Sequence, residues 1–335
     1  MGLKVNKAIT YLKNVNLLFL KLIALVLYCV LTHSLSAPVY AEMIQDSTGS
    51  HHFEQTPKRV AVLAWELAEQ VIELGILPIA MPEVEQYHKW VVKPSLPATV
   101  EDLGSRDEPN LEKLMQLKPD LILIGYPQSD IKNQLEKIAP VLYFNSYSKA
   151  HNNVEAVIWG FKELAKLFGK QELAVKKLDD MNARIKFLGA ELQQAFGVPL
   201  PKVTTLRFAN TTSVYLFGDN SISQYVLKQM GFAPALPQEN SQWGVTQTRL
   251  RELRKVGEGV VLYFKPFEQE EKLQNSPLWN AMPFVKVNHI NSVASTWTYG
   301  GAMSIGYVAE SLANSLREVA VKSTKIKSDK IVAMN

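Results

Sequence analysis

Residues 154–196 read VEAVIWGFKELAKLFGKQELAVKKLDDMNARIKFLGAELQQAF, and their periodicity decides how the rest of the chain is arranged. In the first part Val154, Val157, Ile158, Phe161, Leu164, Ala165 and Phe168 fall on one helical face. Gly169 follows, where a helix end favours a residue tolerant of positive φ. In the second part Leu173, Leu178, Met181, Ile185, Leu188, Leu192 and Phe196 recur at three- and four-residue spacing, opposite a face of Lys, Asp, Arg and Glu. At roughly 1.5 Å per residue this second helix is about 40 Å long, enough to cross the back of two domains. The spacing therefore predicts a helical segment over 153–198 that spans two lobes. Two ordinary packing helices within one domain are the alternative.

Both flanks of this rod alternate strands and helices. On the amino-terminal side RVAVLAW is a buried-strand run, ELAEQVIELG a short helix closed by Gly75, and ILPIAM a second strand. Residues 82–109, rich in Pro, charge and aromatics, read as loop. PNLEKLMQLKPDLILIGY then gives an Asn-capped helix, a Lys-Pro stop and a buried strand, before a further helix and the strand VLYFN. On the carboxyl side PKVTTLRFAN and SVYLFG read as strands, SISQYVLKQMGF as a helix and 233–247 as a loop. TQTRLRELRKVGEGVVLYF repeats the helix-then-strand order of residues 110–124, and 301–318 is the last helix. Strands separated by helices imply parallel-rich sheets covered on both faces, hence an α/β fold of two lobes, over 58–152 and 199–319.

A length of 335 residues suits two domains, and 47% hydrophobic with 20% charged residues is ordinary for a soluble protein, excluding disorder and a polytopic membrane protein. Residues 1–41 differ from the rest. Lys4, Lys7, Lys13 and Lys21 precede the apolar run Leu22 to Leu31, and Val39-Tyr40-Ala41 forms a small-x-Ala cleavage site, the pattern of a secretory signal peptide. A retained anchor is the alternative, although the apolar run is short for a bilayer. The segment has no acidic residue, so the formal net charge of +4 falls to zero beyond it. The sole cysteine, Cys29, also lies here, behind Val26-Leu27-Tyr28 where lipidation would need small residues. The exported chain thus uses no disulfide or thiol chemistry. Residues 42–57 read as a leader and 320–335 as a basic tail, and no nucleic-acid footprint remains.

Ligands of open α/β sheets bind beyond the carboxyl ends of the strands. The loops at those ends hold Trp90, Arg106 and Tyr126 in the first lobe and Trp243, Trp297 and Tyr299 in the second, an aromatic cleft with one arginine between the lobes. Arg106 suits either a loop salt bridge or a fixed fork of donors for an anionic oxygen cluster. Trp65 and Trp279 read as core. There is no GxGxxG after a strand, no P-loop, no GxSxG and no HExxH, so nucleotide, hydrolase and protein-bound metal chemistry lack motifs. His51 and His52 read as incidental, and His88 and His289 as structural or surface groups.

The order of motifs resembles the periplasmic ferric hydroxamate siderophore-binding proteins, within the siderophore, haem and cobalamin class of ABC-transporter binding proteins. The resemblance runs from Arg59 to about Leu316 and rests on RVAVLAWELAEQVIELG, HKWVVKP, LGSRDEPNLEKLMQLKPDLIL, VYLFGDNS, QWGVT, PLWNAMPFV and TWTYGG. It implies a class III periplasmic binding protein: two α/β lobes joined by a single long interdomain helix, with the ligand cleft between them. It implies a periplasmic, monomeric, non-enzymatic protein without cofactor, its ligand carrying Fe3+ as a siderophore complex for delivery to an inner-membrane ABC permease. By the same resemblance Arg106 and Tyr126 donate to the iron-bound hydroxamate oxygens. Trp90, Trp243, Trp297 and Tyr299 pack the siderophore, and Tyr215 faces the cleft. Glu69 matches a permease-docking carboxylate, with a solvated helix face as its alternative, whereas Gln224 and Tyr225 stand where a second carboxylate is usual. A catecholate or mixed siderophore, haem or cobalamin are the alternatives within the class, and a periplasmic enzyme the alternative outside it.

Overall fold

The computed structural model describes residues 42–334, with side chains through Lys322; the expected signal peptide lies outside the described residues. Met43–His51 and the chain from Thr56 onward form one compact unit. Residues expected to be leader instead hold β1 (Glu42–Asp46) and β2 (Gly49–Phe53). Asp46 explains the order there. One carboxylate oxygen accepts the amides of Thr48 and Gly49 at 2.7 and 3.0 Å, and the other accepts the Tyr143 amide at 2.9 Å. No local periodicity signals a hairpin pinned by a strand 97 residues away.

The amino-terminal lobe is a five-stranded parallel sheet of β3 (Val60–Val62), β4 (Ala80–Met81), β5 (Glu101–Asp102), β6 (Leu121–Ile124) and β7 (Val141–Tyr143), in the order β5-β4-β3-β6-β7. Every residue of β3 and β6 is buried, as strands covered on both faces require. Helix α1 (Trp65–Glu73) leaves β3 directly. Within the expected loop 82–109 lies α2 (Val84–Trp90). Asp102 starts it by accepting the Glu83 and Val84 amides, each at 3.1 Å, a cap supplied from β5 and hence silent in local sequence. Helix α3 (Leu111–Gln116) begins as expected at Asn110, whose side chain accepts the Lys113 amide at 2.8 Å.

The rod is two helices, α4 (Asn153–Leu167) and α5 (Gln171–Phe196), with Gly169 at φ 63° between them. The expected apolar face of α5 is buried at Leu178, Met181, Ile185, Leu188 and Leu192, but Leu173 is exposed. Lys177 pairs with Glu73 of α1 at 2.6 Å. Further along, Arg184 and Glu191 pair with Glu310 and Arg317 of α7 (Ser304–Met334) at 2.5 Å. One helix thus holds both lobes. Helix α7 runs on beyond residue 318, where the sequence placed its end.

In the carboxyl-terminal lobe β8 (Val203–Phe208), β9 (Ser213–Phe217), β10 (Val245–Arg249), β11 (Val260–Phe264) and β12 (Ile290–Val293) form a mixed sheet ordered β10-β9-β8-β11-β12. Strands β8, β11 and β12 are parallel, whereas β9 is antiparallel to both β8 and β10. Residues 245–249, read as loop and helix, are this edge strand, recruited by the free edge of β9. The helix α6 (Ile222–Gln229) covers the sheet, capped by Ser221. Trp279 packs with Leu253, Met282 and Phe284 in the core, as expected.

Candidate ligand-binding cleft

The first lobe runs outward from β3 to β4 and β5 and then returns to place β6 on the other side of β3, so the chain reverses between β3 and β6. Such a reversal leaves a crevice at the carboxyl ends of the two strands. Ala64, Trp65 and Glu66 occupy the exit of β3, and Pro127 and Gln128 that of β6; with Arg106 they form one wall of a cavity of about 340 Å³. Gly125 makes their approach possible, because a Cβ there would stand 2.7 Å from Glu66 Oε1 and 3.0 Å from the Ala64 Cβ. The opposite wall comes from the second lobe: Tyr215 of β9, Trp243, Val245 of β10, and Trp297 and Tyr299 after β12.

The aromatic rings interlock across the cleft. Trp297 meets Trp65 at 5.2 Å and Tyr299 at 5.3 Å between centroids, both edge to face, and Tyr299 meets Trp243 at 6.3 Å. Tyr126 lies at the rim, 47% exposed, with its ring 6.3 Å from Trp243. Of the residues expected to bind ligand, Arg106, Trp243, Trp297, Tyr299 and Tyr215 therefore come together, with Tyr126 beside them. Trp90 does not line the cavity and instead lies 5.7 Å from the guanidinium of Arg207. Trp65, read as core, is 2% exposed and bonds Pro82 O through its indole N–H, yet one side of the ring forms cavity wall.

Both readings of Arg106 hold in part. Its Nε donates to Glu83 Oε2 at 2.7 Å, and its backbone amide to Glu83 Oε1 at 3.1 Å. The guanidinium carbon sits 3.7 Å from the Trp65 ring centroid, and Gln128 Nε2 donates to Arg106 O at 3.0 Å. Glu83 itself is in the left-handed region at φ 54°, held there by Asp102. Among the described residues no hydrogen bond engages the two terminal nitrogens of Arg106, so a fixed fork of donors is available to a ligand.

Sequence reasoning missed three further polar groups. Gln128, 1% exposed, ties the Arg106 loop to the exit of β6. Arg207 is buried with no carboxylate partner among the described residues, and burial pushes its pKa down to about 10. Its terminal nitrogens donate to Lys265 O at 3.2 Å and Thr296 O at 2.7 Å, anchoring the segment that carries Trp297 and Tyr299. Glu66 lines the cavity, and burial lifts its carboxyl to about 7, against its own backbone amide and the charge of Arg106. Nothing in the spacing of a short helix reveals that Glu66 faces the cleft.

Glu69 is corrected. It is 1% exposed, accepts the Gly301 amide at 3.1 Å and bonds Ser304 Oγ at the start of α7. The second lobe covers the helix face that the sequence left outward, so Glu69 belongs to the seam between lobes. Tyr147 OH, donating to Gly300 O at 2.6 Å, and Gln242 Nε2, donating to Tyr147 O at 2.7 Å, cross the same seam. Burial raises the Glu69 carboxyl well above the ordinary range, opposed by the donors Ser304 and Gly301.

Carboxyls raised on folding bind protons more tightly in the folded state, so their stabilising effect is full below about pH 4.5 and is lost as pH rises through the folded pKa. For Glu66 that window runs from 4.5 to about 7. Stability of the protein is expected to fall between pH 5 and pH 8, and Glu66→Gln to recover at most about 3 kcal/mol of the loss. Urea denaturation at both pH values measures it, and an unchanged pH dependence in the variant would assign the titration elsewhere.

Two lobes around an aromatic cavity, braced by one long helix, define a two-lobed binding protein of the α/β type. Residues 60–295 match the Periplasmic binding protein family, and the chain belongs to that family. It is 28% identical over 284 residues to the iron(3+)-hydroxamate-binding protein FhuD of Escherichia coli, covering 84% of this chain and 95% of that one. The Fe(3+)-citrate-binding protein YfmC of Bacillus subtilis is also 28% identical, over 77% of this chain and 80% of its own. Among solved structures, FhuD from Vibrio cholerae with bound Fe3+-Desferal shares 53% identity at a TM-score of 0.77, over 78% of this chain and 98% of that one. Among the described residues no helix is long and apolar enough to cross a membrane, and no three His, Cys, Asp or Glu side chains gather to hold a metal ion.

Proposed function

We propose that this protein captures a ferric hydroxamate siderophore between its lobes and delivers it to an inner-membrane ABC permease, without catalysing a reaction on it. The observation that carries this reading is the pairing of a fixed guanidinium with a wall of Trp65, Trp243, Trp297 and Tyr299 in one cavity. Three hydroxamates already saturate octahedral iron, so such a ligand asks its protein for hydrogen-bond donors and aromatic surface. The 53% identity to a protein solved with Fe3+-Desferal supports the hydroxamate class. Arg106 and Tyr126 are the donors in this proposal. Tyr215, Trp243, Trp297 and Tyr299 pack the ligand body, with Trp65 added as floor and Trp90 acting through Arg207. Residues 1–41 export the chain to the periplasm, where it works as a monomer.

Tryptophan fluorescence tests the ligand class. Titrated with ferric hydroxamates, a ferric catecholate, haem and cobalamin, the protein is expected to show saturable quenching by a hydroxamate, because three indoles line its cavity. Saturable quenching by one of the others alone would keep a transport role and replace the ligand class. No response to any of them would remove the proposal.

A further inference from the structure

Glu66 is the only acidic side chain among the described residues that line the cavity. Its carboxylate makes no hydrogen bond to another described side chain, its near hydrogen-bond partner being its own backbone amide. One oxygen lies against Gly125, where a Cβ would come within 2.7 Å, so the group is wedged at the exit of β6 and held at the cavity wall. The charge count around the site is uneven. Arg106 is the cation of the lining, but Glu83 already binds it at 2.7 Å, and Glu66, once ionised above about pH 7, leaves one negative charge in excess. The remaining wall presents aromatic faces, which favour cations over anions. Arg207 does not offset the excess from within the cavity, since it lies outside the lining and spends its terminal nitrogens on backbone carbonyls.

A ferric trihydroxamate core is itself neutral, three hydroxamate charges balancing Fe3+, so the charge of the whole complex is set by its substituents. We propose that Glu66 is a specificity residue that receives a primary ammonium substituent of the siderophore and selects against complexes bearing a free carboxylate. The inference rests on the hydroxamate reading above and adds the charge class of the ligand. Burial holds this carboxyl up at about 7 even against the charge of Arg106, which Glu83 already binds, and a docked ammonium would supply a cation to Glu66 itself. A carboxylate brought to the same wall would face Glu66 across an apolar cavity, where repulsion is poorly screened.

A matched series isolates the effect: ferrioxamine B, which carries a pendant primary ammonium; its N-acetyl derivative, which is neutral there; and its N-succinyl derivative, which ends in a carboxylate. Fluorescence titration of the purified protein at pH 8 is expected to give ferrioxamine B about tenfold tighter binding than the acetyl form, the scale of one charge-assisted hydrogen bond. The succinyl form should be weaker again. In Glu66→Gln the three affinities should converge to within about threefold. Because the readout is a ratio among ligands on one protein, a general loss of folding or affinity does not imitate it. Equal binding of the ammonium and acetyl forms to the unmodified protein would overturn the role of Glu66 and leave the hydroxamate reading standing. A preference that persists in Glu66→Gln would do the same. Failure of all three to bind would remove both.

Discussion

Arg106→Ala weakens ferric hydroxamate binding by about 1.5–3 kcal/mol, the cost of a hydrogen bond to a charged partner, or roughly ten- to a hundredfold in Kd. The size of the effect follows from preorganisation. Glu83 holds Nε at 2.7 Å, Trp65 supports the guanidinium plane at 3.7 Å, and Gln128 fixes the backbone carbonyl, so little rotamer freedom remains for binding to remove. Alanine removes the donors and also leaves Glu83 without its cation. Arg106→Lys separates these two losses. A lysine keeps the charge beside Glu83 but has no planar fork, so its affinity should fall between those of the parent and the alanine variant. Equilibrium titration with a ferric hydroxamate measures all three proteins, and an alanine variant that binds like the parent would sink the assignment.

Gly301→Ala is expected to destabilise the protein by about 1–3 kcal/mol, the usual cost of overpacking a filled interior. Gly301 is not in the left-handed region, so the penalty is one of space. A Cβ there would lie 2.4 Å from Gln70 Cγ and 2.7 Å from the backbone oxygen of Glu66. Gln70 is 1% exposed and has no room to retreat, and the carbonyl belongs to α1. Relief requires the segment before α7 to move off α1, which also breaks the bond from the Gly301 amide to Glu69. Thermal denaturation should show a lowered Tm, and because α1 supplies Glu66 to the cavity, siderophore affinity should drop with it. A variant that melts with the parent would show that the seam between the lobes yields freely.

Arg106, Trp65 and Glu69 differ in how far local sequence could disclose them. Arg106 sits in LGSRDEPN, a loop after a strand, where a cation between polar neighbours is visible as a candidate even though its partner is not. Glu83 lies 23 positions away, and its left-handed backbone depends on Asp102. Trp65 is core, as its position suggests, and also meets the cavity, which local sequence does not disclose. A buried indole at a strand exit looks like core whether its free side meets another core residue or a ligand cavity. Glu69 shows the converse, because helical periodicity separates the faces of α1 without revealing that a second lobe, more than 230 residues further along, covers one of them.

What the sequence determined by itself was everything carried by short-range periodicity: buried strands such as LILI and VVLYF, the Asn110 cap, the break at Gly169, the 26-residue helix that follows and the two-lobed α/β plan they imply. Those features are decided by side-chain entropy, capping and burial within a turn or a strand, so they are written where they act. The tertiary structure alone decided that β6 returns beside β3, and that β10 closes the edge of β9. From that follow a carboxylate at the cavity wall, a docking candidate inside a seam, and Trp90 beside Arg207 outside the cavity lining. Those outcomes depend on which surfaces meet, and surfaces meet through contacts dozens to hundreds of residues apart that leave no period in the chain.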